Sequence, residues 1–375
     1  MNSGYQIPTL PLVHDLETRA TLRQATKTSR ALAELKGLAS TIPNEQILIS
    51  TLTLQEAKES SEVENIVTTQ DDLYQADLQL PHHLVSIATK EVLNYREAIQ
   101  YGFNLIKEDK ILSTNKIKAI QRVLVDNGAG FRSVPGTHLK DHHGNVVYTP
   151  PQDAAEIEHL MKNLEAFIND DSLADCDPLI KMAIIHHQFE SIHPFFDGNG
   201  RTGRIINILY LVINELLDLP ILYLSRYITR NKTDYYRLIQ SIRDQAPDNH
   251  REWEAWVLFI LTGIEETAHE TIRLVEGIAR LMQEFKTRLK PIFGKQYRHE
   301  LLNNLFFHPY TKIDFLSRDL SIQRKTATKY LDRIVEEGLL SKIKIWRENY
   351  YINTPLVELF VNHTSNSSSS PHIEP

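Results

Sequence analysis

The twelve-residue string His193–Arg204 constrains this chain more than any other feature; it reads His-Pro-Phe-Phe-Asp-Gly-Asn-Gly-Arg-Thr-Gly-Arg. Its three glycines weaken regular structure, and its two arginines repel each other unless an anion lies between them. On either side, Leu179–Phe189 and Asn199–Leu217 have apolar residues at helical spacing, and the pair Asp177-Pro178 is a helix-start signal. We therefore predict a turn between two helices, built around a bound polyphosphate.

The glycines and arginines of this string suit the binding of phosphate. Backbone N–H groups of Gly198, Asn199 and Gly200, at the positive end of a helix, can point into one concavity and cradle an anion. The guanidinium groups of Arg201 and Arg204 match phosphate oxygens in geometry and charge. We predict that these arginines hold the outer phosphates.

The same string offers a metal ligand and a base. Asp197 is its only carboxylate, and magnesium commonly takes one or two carboxylates together with phosphate oxygens. His193 has an ordinary pKa near neutrality, so it can accept a proton from an incoming hydroxyl. These residue types, in this order, predict a phosphoryl-transfer site.

At every defined position, His193–Arg204 fits the Fic family signature H-x-F-x-[DE]-G-N-G-R-x-x-R. The chain resembles bacterial Fic proteins with a C-terminal winged helix, over roughly Ile42 to Phe360. Leu219–Ile228 and Asn231–Arg237 resemble the segment that closes the nucleotide pocket of the family.

This resemblance implies an enzyme that transfers AMP from ATP to a Ser, Thr or Tyr hydroxyl of a target protein or of itself, releasing pyrophosphate. His193 would be the base for in-line attack on the α-phosphorus, and Asp197 would bind Mg²⁺ between the α- and β-phosphates. The implied nucleotide-binding residues are His193, Ser61, Glu64, Gly198, Asn199, Gly200, Arg201, Thr202, Gly203, Arg204, Arg230 and Asn231.

A second motif, Ser60–Asn65, fits the inhibitory pattern [ST]-x-x-x-E-[GN] of the same family. The resemblance makes Ser60, Glu64 and Asn65 its inhibitory residues. A Glu64 carboxylate paired with Arg204 would occupy the place of the γ-phosphate, so ATP would bind with its α-phosphate turned away from His193. We therefore expect an autoinhibited enzyme, with Ser61 close to the nucleotide.

The expected fold class is mainly α: a helical Fic core with a small β-hairpin flap, followed by a winged helix-turn-helix. Along the chain we expect an N-terminal helical region (1–110) with the inhibitory helix at about 60–67. A catalytic core (111–285), a winged helix domain (286–360) and a disordered tail (361–375) follow.

The flap is the one extended region that we predict within the core. Turn residues and β-branched flanks favour a hairpin of Phe131–Thr137 with Val146–Pro151. The segment resembles the substrate-side flap of the family. The resemblance implies that a target protein docks on residues 131–148 as an added strand.

The C-terminal module differs in charge from the rest of the chain. Between Lys286 and Asn353 there are 14 Lys and Arg against 7 Asp and Glu, whereas the whole chain has a net charge of −7. Its predicted elements are helices at 300–307, 313–320 and 324–337 and strands at 339–345 and 349–352. This charge suits a phosphate backbone, so residues 323–337 are a candidate DNA-binding helix.

Two alternative functions stay open. One is a DNA-binding transcriptional regulator that uses the Fic core as a nucleotide sensor. The other is a Fic enzyme that transfers a different nucleotide. In either case we also expect a homodimer, as in many relatives.

Cysteine content and hydropathy bear on location. Cys176 is the only cysteine, which suits a reducing compartment and excludes a disulfide framework. The start of the chain does not resemble an export signal, and polar residues interrupt the most apolar run, Ile205–Leu217. We expect a cytoplasmic protein that does not enter a membrane.

Overall fold

A computed structural model describes residues 5–77, 85–141, 143–246, 249–345 and 348–365. The described residues fold mainly into α-helices, with two small antiparallel sheets, which confirms the expectation of a mainly α fold. None of their helices is both long and apolar enough to cross a bilayer.

The chain divides into two units that interleave along the sequence. The first contains the described parts of Met1–Lys36, Leu52–Val67 and Lys90–His269. The second contains those of Gly37–Thr51, Thr68–Thr89 and Glu270–Pro375. All residues of the candidate site belong to the first unit; the domain boundaries expected at 110, 285 and 360 stay predictions.

Helices come first along the chain: α1 (Arg19–Ala39), α2 (Glu45–Val63), α3 (Gln70–Asp77), α4 (Ile87–Ile106) and α5 (Thr114–Val125). Helix α5 shows how local sequence sets such bounds. The Ser113 side chain accepts a hydrogen bond from the Lys116 amide at its start, and Asp126 takes a left-handed conformation at its end.

The flap is a hairpin of β1 (Leu139–Lys140) and β2 (Val146–Tyr148), with Leu139 opposite Tyr148. The prediction of a strand at Phe131–Thr137 is wrong. Arg132 is engaged elsewhere: its N–H bonds to the Pro194 carbonyl at 2.7 Å and its Nε to the His193 carbonyl at 2.7 Å. This segment therefore binds the loop at 193–198 and pairs with no strand of the described part of the chain. Position 142 of the expected flap lies outside the described residues.

The core helices follow: α6 (Ala154–Asn169), α7 (Pro178–Ile192), α8 (Asn199–Ile213), α9 (Ser225–Arg230), α10 (Lys232–Asp244) and α11 (His250–Phe293). Helix α7 is buried on almost every side. Helix α8 ends at Ile213, short of the predicted Leu217, because Asn214 bonds back to the Tyr210 carbonyl and Glu215 is left-handed (φ 57°). Short 3-10 turns lie at Asp171–Leu173 and Gly294–Gln296.

In the C-terminal part of the second unit, four helices combine with a three-stranded sheet. The elements are α12 (His299–Phe307), β3 (Tyr310–Lys312), α13 (Ile313–Asp319), α14 (Arg324–Glu336), β4 (Ser341–Ile345), β5 (Glu348–Ile352) and α15 (Thr354–Ser365). Strand β5 lies between β3 and β4. The short strand β3 was not predicted; the assignment of a winged helix-turn-helix stays a prediction.

The disordered tail expected from residue 361 does not begin there. Helix α15 continues to Ser365, so the prediction of disorder is wrong for 361–365, and residues 366–375 lie outside the described part of the chain. The Asn353 side chain caps the helix by accepting a hydrogen bond from the Leu356 amide. Leu356 and Phe360 are buried, which stabilises the helix beyond its first turns.

Candidate active site

The loop between α7 and α8 begins and ends in left-handed backbone. His193, just after α7, has φ 48°, and its N–H bonds to the Phe189 carbonyl at 2.9 Å. Gly198, just before α8, has φ 77°, and a Cβ there would come within 2.9 Å of the Val125 side chain. Glycine is thus required at 198 for both conformation and space.

Asn199 stabilises this loop from within. Its Oδ1 accepts a hydrogen bond from the Phe195 amide at 2.8 Å, and its Nδ2 donates to the Phe195 carbonyl at 2.8 Å. Phe195 is fully buried and anchors the loop to the core. The Asn199 side chain therefore shapes the loop, since both of its polar atoms are engaged by the Phe195 backbone.

His193 is held as a neutral imidazole. Burial lowers its pKa to about 3, and the positive charges of Arg132 and Arg243 act in the same direction. Arg132 also bonds to the His193 carbonyl, which fixes the position of this residue. The ring is therefore unprotonated near neutral pH, and in this environment it is a weaker base than an ordinary imidazole.

Arg204 is buried and makes three hydrogen bonds to α2 and the residue that follows it. Its Nη2 lies 2.9 Å from Glu64 Oε1 and 2.9 Å from the Ser60 carbonyl, and its Nε lies 2.7 Å from Ser60 Oγ. Burial alone would raise the pKa of Glu64, but the charge and hydrogen bond of Arg204 outweigh it and hold that pKa below its ordinary value.

The end of α2 explains why Glu64 reaches Arg204. Asn65 has φ 62°, and the Ile66 amide bonds back to the Ser61 carbonyl at 3.0 Å, which closes the helix end. Such a turn favours Asn or Gly, the two residues that the motif allows. A Cβ on Gly200 would overlap Glu64 Oε1, so the carboxylate rests directly on the first turn of α8.

Arg201 is also paired with carboxylates. Its Nη1 lies 2.9 Å from Glu91 Oε2, and its Nη2 lies 3.5 Å from Asp197 Oδ1. Glu91, in α4, was not predicted. No motif marks it, and it meets Arg201 only because α4 packs near the loop.

Asp197 lies at the open side of the loop, with its side chain 70% exposed. Its Oδ1 accepts a hydrogen bond from the Gly198 amide at 2.6 Å, and Gln121 donates to its backbone carbonyl at 3.1 Å. A single exposed carboxylate beside a phosphate cradle fits Mg²⁺, which prefers oxygen ligands. Among the described residues, no group of three or more His, Cys, Asp or Glu forms a complete metal site, so phosphate oxygens would have to complete it.

Part of this site surrounds a cavity of about 420 Å³, and Arg204 is not among its lining residues. Its lining consists of Glu64, Ile66, Glu91, His193, Phe196, Asp197, Gly198, Asn199, Gly200 and Arg201. No side chain caps the first turn of α8, which forms one wall. The cavity therefore joins a neutral imidazole, an exposed carboxylate and a positive helix end.

Several predicted nucleotide-binding residues do not line this cavity. Ser61 and Thr202 are fully buried, and Gly203 packs against Glu190 and Phe189 of α7. Arg230 is exposed at the end of α9, and the Asn231 side chain donates to the Tyr227 carbonyl at 2.9 Å. A role for these residues in nucleotide binding stays a prediction.

Glu190, in the last turn of α7, was also not predicted. A Cβ on Gly203 would lie 2.9 Å from Glu190 Oε1, so this carboxylate packs against α8. Burial raises its pKa to about 7, although the charge of Arg204 favours the ionised form. Its sequence context is an ordinary helical one, so no pattern marks it.

Family models match this chain in three consecutive parts. "Fic/DOC family N-terminal" matches residues 22–104, and "Fic/DOC family" matches residues 111–211. "Protein adenylyltransferase SoFic-like, C-terminal domain" matches residues 281–356. Together they cover the N-terminal helices, the signature string and the C-terminal module.

Curated relatives share parts of the sequence. A protein adenylyltransferase of Caenorhabditis elegans is 39% identical over 59 residues, 16% of this chain and 11% of that protein. A probable protein adenylyltransferase of Aquifex aeolicus is 35% identical over 83 residues, 22% of this chain and 25% of that protein. The protein adenylyltransferase Fic of Nematostella vectensis is 28% identical over 187 residues, 47% and 38% of the two chains. The matches thus span well under half the length of these relatives.

Solved structures share the fold. A Fic family protein of Desulfovibrio desulfuricans superimposes with a TM-score of 0.57 at 20% identity, covering 93% of this chain and 98% of that one. A C. elegans Fic-1 structure gives a TM-score of 0.52 at 19% identity, covering 68% and 74%. Because the family models match in order along a chain with this fold, the protein belongs to the Fic/DOC family.

Proposed function

We propose that this protein is an adenylyltransferase that moves AMP from ATP to a Ser, Thr or Tyr hydroxyl of a target protein or of itself, and that Glu64 inhibits it. The observation that carries the proposal is the ion pair of Glu64 with Arg204. It lies at a cavity that also holds His193, Asp197 and the first turn of α8.

In the proposed reaction, His193 accepts the proton of the target hydroxyl while the hydroxyl oxygen bonds to the α-phosphorus. The bond from the α-phosphorus to the bridging oxygen breaks, and pyrophosphate leaves. The amides of the first turn of α8 stabilise phosphate charge, and Arg201 holds the outer phosphates. Asp197 would hold Mg²⁺, which supplies positive charge against the phosphate oxygens.

Inhibition follows from competition for one guanidinium. Glu64 and Ser60 use the Nε and Nη2 groups of Arg204, which would otherwise bind the γ-phosphate. ATP can place its α-phosphate beside His193 only when Glu64 leaves. The Glu64 carboxylate pairs with Arg204 only in the inactive arrangement. It therefore shifts the population of molecules toward that arrangement.

The flap is the proposed docking place of the target segment. Val146 and Val147 of β2 are 43% and 42% exposed, and Val134 upstream is 60% exposed. Since the two-stranded hairpin has open edges, an extended target segment can pair with its backbone. That pairing would bring a hydroxyl toward His193 without reading a particular side chain.

Labelled ATP tests the proposal directly. Glu64→Gly is expected to incorporate label from α-labelled ATP into itself or into lysate proteins, and Glu64→Gly with His193→Ala is expected to lose it. The γ-labelled nucleotide serves as the control, because pyrophosphate release leaves no γ-label on the acceptor. Retained γ-label would indicate phosphoryl transfer and contradict the proposal, and labelled GTP, UTP and CTP test transfer of another nucleotide.

DNA binding is a second candidate function, and one observation favours it. The buried face of α14 holds Ala327, Leu331 and Ile334, whereas its basic side chains point to solvent. These exposed residues are Arg324, Lys325, Lys329 and Arg333. A gel shift of duplex DNA that weakens steeply with salt would support this function, and its absence at low salt would contradict it.

A further inference from the structure

Glu56, Ser60 and Glu64 are spaced four residues apart, so they follow one face of α2 to its end. Ser60 and Glu64 contact Arg204. Glu56 is turned into the protein and is only 2% exposed. The face of α2 that contacts Arg204 through Ser60 and Glu64 thus also contains a buried carboxylate, that of Glu56.

Three donors surround the Glu56 carboxylate. Tyr95 Oη in α4 donates to its Oε1 at 3.0 Å, and Ser225 Oγ donates to the same oxygen. The Ser225 amide donates to its Oε2 at 3.2 Å. Tyr95 and Ser225 are themselves fully buried, so water cannot replace these contacts.

The Ser225 contact also replaces a missing helix cap. Ser225 is the first residue of α9, and the preceding Leu224 offers no side-chain cap. Glu56 accepts a hydrogen bond from the Ser225 amide, and its carboxylate lies at the positive end of the short helix α9. Helix α2 is therefore tied to both α4 and α9 through one side chain.

A buried carboxylate is an expensive way to pack a helix, since an apolar residue of similar size avoids the cost of leaving water. That cost is visible here, because burial raises the pKa of Glu56 to about 7 against the effect of its hydrogen bonds. What the carboxylate adds over an apolar side chain is direction. Directional hydrogen bonds fix the rotation of α2 about its axis and its position along that axis. Apolar contacts allow the helix to shift along its axis.

We propose that Glu56 is a positioning residue whose hydrogen bonds to Tyr95 and Ser225 hold α2 in the register that sets Glu64 on Arg204. This inference rests on the proposed inhibition by Glu64. It extends the inhibitory element beyond the motif Ser60–Asn65 to a residue that touches neither Arg204 nor the cavity.

Incorporation of label from α-labelled ATP by the 375-residue chain tests the inference. Glu56→Ala is expected to raise incorporation about tenfold, the factor that corresponds to a lost hydrogen bond to a charged group. Glu56→Gln keeps one acceptor oxygen and should restore part of the inhibition. Tyr95→Phe and Ser225→Ala each remove a donor and should give smaller increases. The matched control Glu62→Gln changes an exposed carboxylate of the same helix and should leave incorporation unchanged.

The double variant Glu56→Ala with Glu64→Gly separates positioning from mere stabilisation. If Glu56 acts through Glu64, the double variant incorporates no more label than Glu64→Gly alone. A further increase would overturn the inference, as would unchanged incorporation in Glu56→Ala, Tyr95→Phe and Ser225→Ala. If Glu56→Ala does not fold, the single-donor variants carry the test.

The outcome for Glu64→Gly distinguishes the two proposals. If Glu64→Gly itself incorporates no additional label, inhibition by Glu64 fails and the role of Glu56 fails with it. If Glu64→Gly is activated and the variants at Glu56, Tyr95 and Ser225 are not, only the positioning role is contradicted. Amide exchange over residues 60–66 adds a readout without nucleotide, which should quicken in Glu56→Ala and stay unchanged in Glu62→Gln.

Discussion

Glu64 Oε1 lies 2.9 Å from Nη2 of Arg204, and this ion pair connects the end of α2 to the first turns of α8. The guanidinium is almost fully buried, and Ser60 uses two more of its hydrogen-bond positions. If the proposed roles hold, the protein has its base, its phosphate cradle and its metal ligand in place while Arg204, a proposed phosphate-binding group, is engaged by Glu64 and Ser60.

Removing the second partner of Arg204 should weaken the inhibitory contact. Ser60→Ala loses the hydrogen bond from Arg204 Nε at 2.7 Å but keeps the backbone contact and Glu64. We expect α-label incorporation to rise above wild type and to stay below that of Glu64→Gly, since one of several contacts is lost. Incorporation equal to wild type would show that the hydroxyl contributes nothing.

The left-handed turn at Asn65 should be needed for the same contact. Asn65→Val places a β-branched residue at φ 62°, at a local cost of about 1–2 kcal/mol. We expect a lower melting temperature and increased α-label incorporation, because the strained turn moves Glu64. Asn65→Gly is the matched control, and it should keep incorporation low since glycine adopts this φ freely. Activation in both variants would point instead to the Asn65 side chain, which accepts a hydrogen bond from Lys232 at 2.9 Å.

The loop between α7 and α8 should depend on the Asn199 side chain. Asn199→Ala leaves the amide and carbonyl of buried Phe195 without their partners, at a cost of about 2–4 kcal/mol. Asn199→Asp keeps an acceptor for the Phe195 amide and should lose about half as much stability. Chemical denaturation of both variants measures this difference. Equal stability of wild type and Asn199→Ala would contradict the role given to this side chain.

Glu56 should make stability fall as pH rises. Its pKa is about 7 in the folded protein against an ordinary 4.5, so the folded state binds the proton more tightly. The associated stability is fully present below pH 4.5 and is lost as pH rises through 7, by up to about 3 kcal/mol.

The buried His193 has the opposite sign, because its lowered pKa makes stability rise with pH between about 3 and 6.5. The test is therefore a difference between two proteins. The free energy of unfolding of wild type, minus that of Glu56→Gln, should fall between pH 5 and pH 7.5. A constant difference would contradict the raised pKa of Glu56.

Much of the site could be predicted because its signals are local. Glycines, a helix-start pair and apolar spacing mark the turn between α7 and α8, and the pattern around Glu64 pointed to Arg204. No local sequence pattern marks Glu91, which pairs with Arg201, or Glu56, which bonds to Tyr95 and Ser225. Both glutamates are ordinary helical residues whose contacts exist only because α4 packs near α8 and α2 packs near α4 and α9.

The incorrect predictions also arise from contacts that the local sequence does not indicate. The segment around Arg132 has strand-like residues, but its hydrogen bonds go to the loop after α7, so no strand forms there. Helix α8 stops early because of a left-handed Glu215, a conformation that apolar spacing does not indicate. In each case a tertiary or backbone contact outweighs the local pattern.

The most direct test of the account is the initial rate of α-label incorporation at saturating ATP by Glu64→Gly and by wild type. We predict a rate at least about tenfold higher for Glu64→Gly, since a charged hydrogen bond of the inhibited state is removed. Adding His193→Ala should abolish that gain. Equal rates for Glu64→Gly and wild type would contradict the claim that the pair of Glu64 with Arg204 restrains the enzyme.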